Sequence, residues 1–252
     1  MSKTPGFIAV IPARYQSSRL PGKMLLDIAG QPMILHVVKR VQQSLASAVY
    51  VATDDERIQK ACAAAGVKVI MTNAAHQSGT DRIAEVAQQL ILASETIVVN
   101  VQGDEPLIPP AVINQVAGNL AARPDTGICT LYSDIHDETE FHNPHAVKLV
   151  SDNAGKVLYF SRAPIPWPRD GHEPGTPWGK RHLGLYAYRV QVLQDFVRWP
   201  ASELEQLEKL EQLRAMAHGV SIHAERSCEA IPPGVDTAED LALVRQLLAT
   251  RK

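Results

Sequence analysis

FIAVIPARYQSSRLPGK, residues 7–23, is the stretch that decides the fold. Its first five residues, 7–11, are all apolar, which is typical of a strand buried on both faces of a parallel sheet. Pro12 cannot donate a hydrogen bond to a neighbouring strand, so we expect the strand to end before it. The loop that follows carries three cations: Arg14, Arg19 and Lys23. Because ligands bind beyond the carboxyl ends of strands in open α/β sheets, this loop indicates a polyanionic ligand such as a triphosphate.

Composition excludes several other classes of protein. At 252 residues and 45% hydrophobic content, the chain is long enough to bury a large core. A net charge of −2 gives no reason to expect nucleic acid or an anionic membrane surface as a partner. No apolar run approaches the length of a membrane span, so we expect no membrane insertion. The three cysteines are scattered, which argues against disulfides or a zinc site and favours a cytoplasmic location.

Apolar runs and amphipathic segments alternate along the first half of the chain. After the first strand, strands are predicted at 48–52, 67–71 and 97–101, and helices at 33–45, 53–66, 78–92 and 112–122. The second of these helices is expected to start with the capping box TDDE at Thr53. This alternation with short links predicts an α/β fold with a doubly wound, mostly parallel sheet.

The second half is richer in predicted strands. They fall at 128–135, 146–150, 157–160 and 182–188, and are followed by a helical region at 202–219, a strand at 220–224 and a final helix opened by Asp236 and Thr237. We interpret the chain as one mixed domain, 1–252, with a β-rich section at about 128–190. This section is a candidate dimer surface because it carries Trp167, and aromatic residues are favoured at interfaces. The alternative is a lid that packs on its own chain.

Two carboxylates are candidates for a magnesium site. Asp104 in NVQGDEP follows the most apolar strand, on the same rim of the sheet as Arg14, where it suits Mg²⁺ held together with substrate phosphates. The alternative is that Asp104 and Glu105 only cap a loop. Asp236 in GVDTAED fits an ordinary helix N-terminus by spacing alone, as do Ser78 and Thr80 in SGTDR.

Several motifs resemble one family of enzymes. IPARYQSSRLPGK is similar to the N-terminal signature of sugar-activating cytidylyltransferases, and within them to the 3-deoxy-manno-octulosonate (Kdo) cytidylyltransferase family. Further similar segments follow in the same order: SGTDR, NVQGDEP, FSRAPIPW, HLGLYAYR, LEQLR and GVDTAEDL. The resemblance implies a nucleotide-diphospho-sugar transferase-like fold, a homodimer, and conversion of CTP and Kdo into CMP-Kdo and pyrophosphate for lipopolysaccharide synthesis.

The resemblance also implies roles for individual residues. Catalysis is assigned to Arg14, Lys23, Asp104 and Asp236, of which Asp104 and Asp236 hold Mg²⁺. Nucleotide binding is assigned to Ala13, Arg14, Arg19, Lys23, Ser78, Gly79 and Arg82. Sugar binding is assigned to Gln102, Arg162, His182, Tyr186, Glu211 and Gln212. The cations are expected to offset charge on the triphosphate and on the departing pyrophosphate.

Three alternatives stay open. The acceptor can be another sugar acid, such as a sialic acid or an 8-amino relative of Kdo. The chain can also be a module that binds CTP without catalysis. For Glu211 and Gln212, the alternative is a solvated helix face beside the leucine stripe of 202–219.

Overall fold

The structure is a computed structural model that describes residues 6–17 and 20–249. Arg19, a predicted nucleotide contact, lies outside the described residues. The strands are β1 Phe7–Ala13, β2 Asp27–Ile28, β3 Gln31–Pro32, β4 Ala48–Thr53, β5 Lys68–Met71, β6 Ile97–Asn100, β7 Ile128–Ile135, β8 Lys148–Ser151, β9 Val157–Ser161, β10 Gly179–Arg189 and β11 Ile222–Arg226.

The α-helices alternate with the strands in the first half, as predicted. They are α1 Met33–Gln42, α2 Glu56–Ala64, α3 Gly79–Gln89, α4 Pro110–Ala121, α5 Glu138–His142, α6 Val190–Phe196, α7 Glu203–Glu208, α8 Gln212–Ala217 and α9 Ala238–Ala249. Within the described ranges, none of these helices combines the length and the apolar character needed to span a bilayer.

The main sheet has the strand order β11-β7-β10-β6-β1-β4-β5. β1 runs parallel to both of its neighbours, β4 and β6, and β11 runs parallel to β7. β10 lies between β6 and β7 and is antiparallel to both. The predicted α/β fold with a mostly parallel sheet is confirmed. The β-rich section at about 128–190 contributes β7 and β10 to this same sheet, and the β8–β9 hairpin extends from β10.

The prediction that the first strand ends before Pro12 is wrong. Val10 accepts a hydrogen bond from the Val101 N–H on the side of β6. Pro12, two residues further on, faces the same side, beyond the last residue of β1 that pairs with β6. No ladder hydrogen bond is lost there, so β1 continues along β4 until Ala13 pairs with Thr53. The extra two residues bring the end of β1 to the rim of the sheet where the cationic loop starts.

Helices cover both faces of the sheet because the side chains of β1 alternate between two cores. Phe7, Ala9 and Ile11 are fully buried in a cluster with apolar residues of α1, α2, α4 and α9. Val10 is buried in a second cluster with residues of α3, α6 and α8. The loops that follow β1, β4 and β6 meet at the carboxyl ends of these strands, where they line two cavities.

The helical region predicted at 202–219 consists of two helices. α7 and α8 are separate short helices, and Lys209 between them has left-handed backbone angles, φ 53° and ψ 44°. Leu210 turns into the core at the break, whereas Leu204 and Leu207 of the leucine stripe stay exposed. The apolar spacing of three therefore did not mark one buried helix face.

Helix N-termini follow the predicted capping patterns with one shift. Thr53 is the last residue of β4 and does not cap α2; the Asp55 carboxylate accepts hydrogen bonds from the N–H groups of Arg57 and Ile58 instead. At α3, Ser78 and Asp81 form a reciprocal capping box. The capping interpretation of the SGTDR segment thus holds at the level of local structure.

Candidate active site

Asp104 and Asp236 lie on either side of one ammonium group. Asp104 follows β6, and Asp236 lies just before α9. The Lys23 Nζ is 2.6 Å from Asp104 Oδ2 and 3.0 Å from Asp236 Oδ1. The same Nζ donates a hydrogen bond of 3.1 Å to the carbonyl of Val235. Two carboxylates that are 132 positions apart in the numbering therefore share a cation at the rim of the sheet.

Close backbone contacts hold the two aspartate segments together. The Val235 N–H donates to the Asp104 carbonyl at 2.8 Å. A Cβ atom on Gly234 would lie 3.3 Å from that same carbonyl oxygen, and one on Gly103 would lie only 2.8 Å from the carbonyl oxygen of Pro12. Glycine at 103 thus lets the segment after β6 pack against the end of β1. Asp104 and Asp236 are positioned mainly by backbone contacts, which a side chain at Gly103 would displace.

Lys23 is buried, with 8% of its surface exposed. Burial alone lowers the pKa of its ammonium, but the carboxylates of Asp104 and Asp236 outweigh that effect and raise the pKa above its ordinary value. Lys23 is therefore charged and offsets the repulsion between the two carboxylates.

Two neighbouring cavities share Arg14. The first, of about 340 Å³, is lined by Pro12, Arg14, Gln16, Ser17, Lys23, Met24, Gly79, Gln102, Gly103, Asp104 and Asp236. The second, of about 630 Å³, is lined by Arg14, Tyr15, Gln16, Ser17, Pro21, Asp54, Ala74, His76, Gln77 and Arg82. Burial, and to a lesser degree Arg82, lowers the pKa of the Arg14 guanidinium below its ordinary value. Ala13, the last residue of β1, is fully buried directly beside this wall.

Arg82 is 1% exposed and is fixed by two partners. Its Nη1 donates to Thr72 Oγ1 at 2.7 Å, and its Nη2 is 3.0 Å from Asp54 Oδ2. Its Nε has no hydrogen-bond partner in the described part of the chain. A buried cation with one unused donor at the wall of a cavity is suited to binding a polar or anionic group.

Tyr186, Glu211 and Gln212 meet at a third, small cavity of about 30 Å³. Glu211 Oε2 accepts a hydrogen bond from Thr80 Oγ1 at 3.0 Å, whereas its Oε1 is enclosed without a partner among the described residues. Burial raises the pKa of the Glu211 carboxyl above its ordinary value. The structure thus places Glu211 against the first turn of α3, away from the solvated helix face that the sequence left open.

His182 is a half-buried residue of β10. Burial lowers the pKa of its imidazole to about 3, and its Nε2 lies 3.1 Å from Thr130 Oγ1. A neutral imidazole offers a hydrogen bond to a ligand but no positive charge.

Gln102 lies at a cavity of the site, whereas Arg162 does not. Gln102 lines the first cavity, and its Nε2 donates to the Gly184 carbonyl at 3.4 Å. The guanidinium of Arg162 donates to three backbone carbonyls, those of Pro144, Glu208 and Lys209. Arg162 lines none of the three cavities described above. The candidates that line these cavities are Arg14, Lys23, Gly79, Arg82, Gln102, Asp104, Tyr186, Glu211, Gln212 and Asp236. Ala13, Ser78 and His182, like Arg162, line none of the three.

Comparison with known proteins assigns the family. The sequence model described as cytidylyltransferase matches residues 8–222. The 3-deoxy-manno-octulosonate cytidylyltransferase of Cellvibrio japonicus is 56% identical to this chain, over 96% of the chain and 98% of the relative. The chain belongs to the 3-deoxy-manno-octulosonate cytidylyltransferase family. The relative of the same name from Alcanivorax borkumensis is also 56% identical, with the same coverage of both chains.

Solved structures agree with this assignment to the cytidylyltransferases. The structure of a CMP:2-keto-3-deoxy-manno-octonic acid synthetase complexed with CTP has a TM-score of 0.90 and 44% identity, over 98% of this chain and all of the other. A cytidylyltransferase from Leptospira borgpetersenii has a TM-score of 0.64 at 16% identity, over 97% of this chain and 87% of the other. The second likeness extends to the fold alone.

Two residues of this family member were missed as parts of the site. Asp54 was interpreted only as part of a helix cap, yet its carboxylate is the ion-pair partner of Arg82. Thr80 was interpreted only as a possible cap, yet its hydroxyl binds Glu211. Both lie in short polar segments directly after strands or at a helix start. That position at the carboxyl rim was the only signal in the sequence that could have singled them out.

Glu105, next to Asp104, leads to a prediction about pH. Its Oε2 is enclosed without a partner in the described ranges, and burial together with Asp104 raises the pKa of the carboxyl from 4.5 to about 8. The native state therefore keeps a proton that the unfolded chain releases, so stability falls as pH rises between about 4.5 and 8. Glu105→Gln removes this loss and is expected to be more stable than the parent protein above pH 8, by up to a few kcal/mol.

Urea unfolding at pH 5 and pH 9, in the presence of a chelator, measures the effect. The difference between Glu105→Gln and the parent should be small at pH 5 and should grow at pH 9. Glu173→Gln, at an exposed position, is the matched control and should show no such growth. An equal difference at both pH values would mean that Glu105 ionises normally.

Proposed function

We propose that this protein transfers the cytidylyl group of CTP to the anomeric hydroxyl of Kdo, giving CMP-Kdo and pyrophosphate. The observation that carries the proposal is the pair of carboxylates, Asp104 and Asp236, held by Lys23 in a cavity that Arg14 also lines. Relatives that are 55–56% identical along nearly their whole length carry the name of this activity. The related structure with 44% identity is described as a complex with CTP.

Arg14 is the residue best placed to orient the nucleotide. Arg14, Gln16 and Ser17 line both the cavity of the aspartates and the cavity of Arg82, and of these three residues Arg14 carries the positive charge. We assign the triphosphate to the first cavity and the base to the second. Gly79 at the start of α3 lines the first cavity, and Ser78, which caps α3, precedes it in the chain. The prediction for Arg19 as a further phosphate contact stands from the sequence.

The carboxylates of Asp104 and Asp236 fit Mg²⁺. Magnesium is usually bound in proteins by one or two carboxylates and completed by water and substrate phosphates. The described residues contain no group of three or more His, Cys, Asp or Glu side chains that could hold a metal, so these two acids form the donor set we propose. When bound, Mg²⁺ supplies Lewis-acid stabilisation of the charge on the reacting phosphate.

The side chains of the chain have separate tasks in the transfer. The anomeric oxygen forms a bond to the α-phosphorus of CTP while the bond to the β-phosphate oxygen breaks, and pyrophosphate leaves. Arg14 and Lys23 offset the charge that develops on the leaving group. The proton of the hydroxyl passes to water or to a carboxylate oxygen.

The sugar acid is assigned to the side of the site where Gln102, Tyr186, Glu211 and Gln212 lie. Glu211 Oε1 is an enclosed acceptor without a partner in the described part of the chain, which suits a sugar hydroxyl. Gln102 and Gln212 carry both donors and acceptors, and the neutral His182 adds one hydrogen bond. These groups favour a polyhydroxylated ligand.

Magnesium-dependent pyrophosphate release tests the proposal. The assay uses CTP with Kdo, its 8-amino relative and a sialic acid in parallel, and repeats each reaction with EDTA. We expect release with Kdo at the highest kcat/KM and none with EDTA. Faster pyrophosphate release with another sugar acid would show that this sugar acid is the acceptor. Saturable CTP binding without pyrophosphate release, whichever acceptor is added, would show that the protein is a binding module.

We also propose a cytoplasmic homodimer. The three cysteines, Cys62, Cys129 and Cys228, are free thiols, which suits a reducing compartment. Trp167, with 67% of its surface exposed, and Leu158 expose apolar surface in the β-rich section. Sedimentation equilibrium of the protein measures the association, and a monomer at micromolar concentration would contradict the dimer.

A further inference from the structure

Glu208 is the last residue of α7, and its carboxylate accepts hydrogen bonds from the end of β9 and from the residue that follows β9. Its Oε1 accepts a hydrogen bond from Ser161 Oγ at 2.6 Å, and its Oε2 accepts one from the Arg162 N–H at 2.9 Å. The Arg162 side chain returns the contact, because its Nε donates to the Glu208 carbonyl at 2.6 Å. Each of the two residues thus uses side chain and backbone to bind the other.

This reciprocal contact stabilises the break between α7 and α8. The carbonyls at the end of a helix lack partners within the helix, and a residue such as Lys209 in a left-handed conformation is strained by about 1 kcal/mol or more. The Arg162 guanidinium satisfies the Glu208 carbonyl and lies 3.4 Å from the carbonyl oxygen of Lys209. The break lets Leu210 enter the core, and the next residue, Glu211, reaches Thr80.

Lys148 fixes the other side of Arg162. It is fully buried in β8, and its Nζ donates to the carbonyls of Asn143, Ala146 and Arg162 at 2.9, 2.6 and 2.7 Å. Burial, with a smaller contribution from Arg162, lowers the pKa of this ammonium. A buried cation whose hydrogen bonds all go to backbone carbonyls acts as a crosslink between chain segments.

We propose that Arg162, Glu208 and Lys148 are positioning residues that hold Glu211 and Gln212 in place for the sugar acid. Arg162 then acts through the backbone at 208–209 and does not contact the sugar. The assignment of Glu211 and Gln212 to the sugar acid rests on the function proposed above. The crosslink itself rests only on the contacts of β8, β9 and α7.

Steady-state kinetics of Glu208→Ala and Glu208→Gln test the proposal. Glu208→Ala loses both acceptors and is expected to raise the KM for Kdo about tenfold, since small displacements of binding groups cost up to about a hundredfold. Its KM for CTP should stay within about twofold, because α3 keeps its own capping box. Glu208→Gln keeps one acceptor and should recover most of the loss. Leu207→Ala, at the exposed neighbouring position, is the matched control and should match the parent protein.

Two further results decide between positioning and direct binding. If Arg162 acts through Glu208, the KM for Kdo of the double variant Arg162→Ala/Glu208→Ala should be no higher than that of the more impaired single variant. Additive losses would mean that Arg162 contacts the sugar itself and would overturn the proposal. An unchanged KM for Kdo in Glu208→Ala, or an equal rise in the KM for CTP, would also overturn it.

Hydrogen exchange gives a readout that does not depend on the substrate. Backbone amides of residues 209–217 should exchange faster in Glu208→Ala than in the parent protein, and those of β1 should be unchanged. Unchanged exchange in 209–217 would show that the contact between Glu208 and Arg162 does not stabilise this segment. If the parent protein releases no pyrophosphate with Kdo, the proposed function fails while this measurement still decides the crosslink. Ser161→Ala, which removes one hydrogen bond of Glu208, replaces Glu208→Ala if that variant does not fold.

Discussion

Asp104→Asn is expected to lower kcat for pyrophosphate release by about a hundredfold or more, since the loss of one group that stabilises transition-state charge has this size. The change keeps the shape of the side chain and removes the charge of one of the two carboxylates that we propose bind Mg²⁺. Lys23 keeps Asp236 and the Val235 carbonyl as partners, so the fold should persist. Circular dichroism and the melting temperature measure that persistence alongside the rate at saturating magnesium.

The control for this change is Asp170→Asn, at an exposed position far along the chain from both carboxylates. It should leave the rate and the melting temperature as they are in the parent protein. A rate for Asp104→Asn close to that of the parent, with the fold intact, would contradict the role of this carboxylate in catalysis. Asp236→Asn should lose activity in the same way, because we propose that both carboxylates bind the same Mg²⁺.

Lys23→Ala is expected to have an effect of similar size on kcat, about a hundredfold or more, because it removes a buried charge that we propose offsets the charge of the leaving group. It also leaves two neighbouring carboxylates without the cation they share. The protein free of metal should therefore melt at a lower temperature, and added Mg²⁺ should raise the melting temperature of Lys23→Ala more than that of the parent protein. A thermal melt with and without Mg²⁺ and a rate at saturating CTP measure both effects.

The matched control for Lys23→Ala is Lys60→Ala, whose ammonium is exposed on α2 next to Glu56. It should change neither the rate nor the response of the melting temperature to Mg²⁺. Equal responses of Lys23→Ala and the parent protein to Mg²⁺ would mean that the ion does not bind the two carboxylates that Lys23 joins.

The fold could be predicted from the sequence wherever a local pattern decided the outcome. Alternating strands and helices up to α4, and the cap at Ser78, follow from apolar periodicity and from polar residues at helix starts. The errors occur where distant chain segments decide. Pro12 is tolerated in β1 because pairing with β6 ends earlier. The helical region at 202–219 is interrupted at the left-handed Lys209, whose carbonyl and that of Glu208 lie against Arg162 from a remote segment.

The site could be predicted only in part for the same reason. The cations after β1 and the acid after β6 follow from the rule that ligands bind at the carboxyl rim of a sheet. Asp236 looks like an ordinary cap by spacing, and only the resemblance to a family singled it out. The salt bridges of Lys23 and the uncharged state of His182 depend on burial and on partners from remote segments, which no short motif encodes.

The reversed strand β10 has a consequence for synthesis on the ribosome. β6 ends at Asn100, but the strand that covers its second edge begins only at Gly179. At translation rates of about 5–20 residues per second, that edge stays open for several seconds after β5, β4 and β1 have emerged. An unpaired strand edge is a template for pairing with other chains, so this interval is when the nascent protein is most exposed to aggregation and most dependent on chaperones.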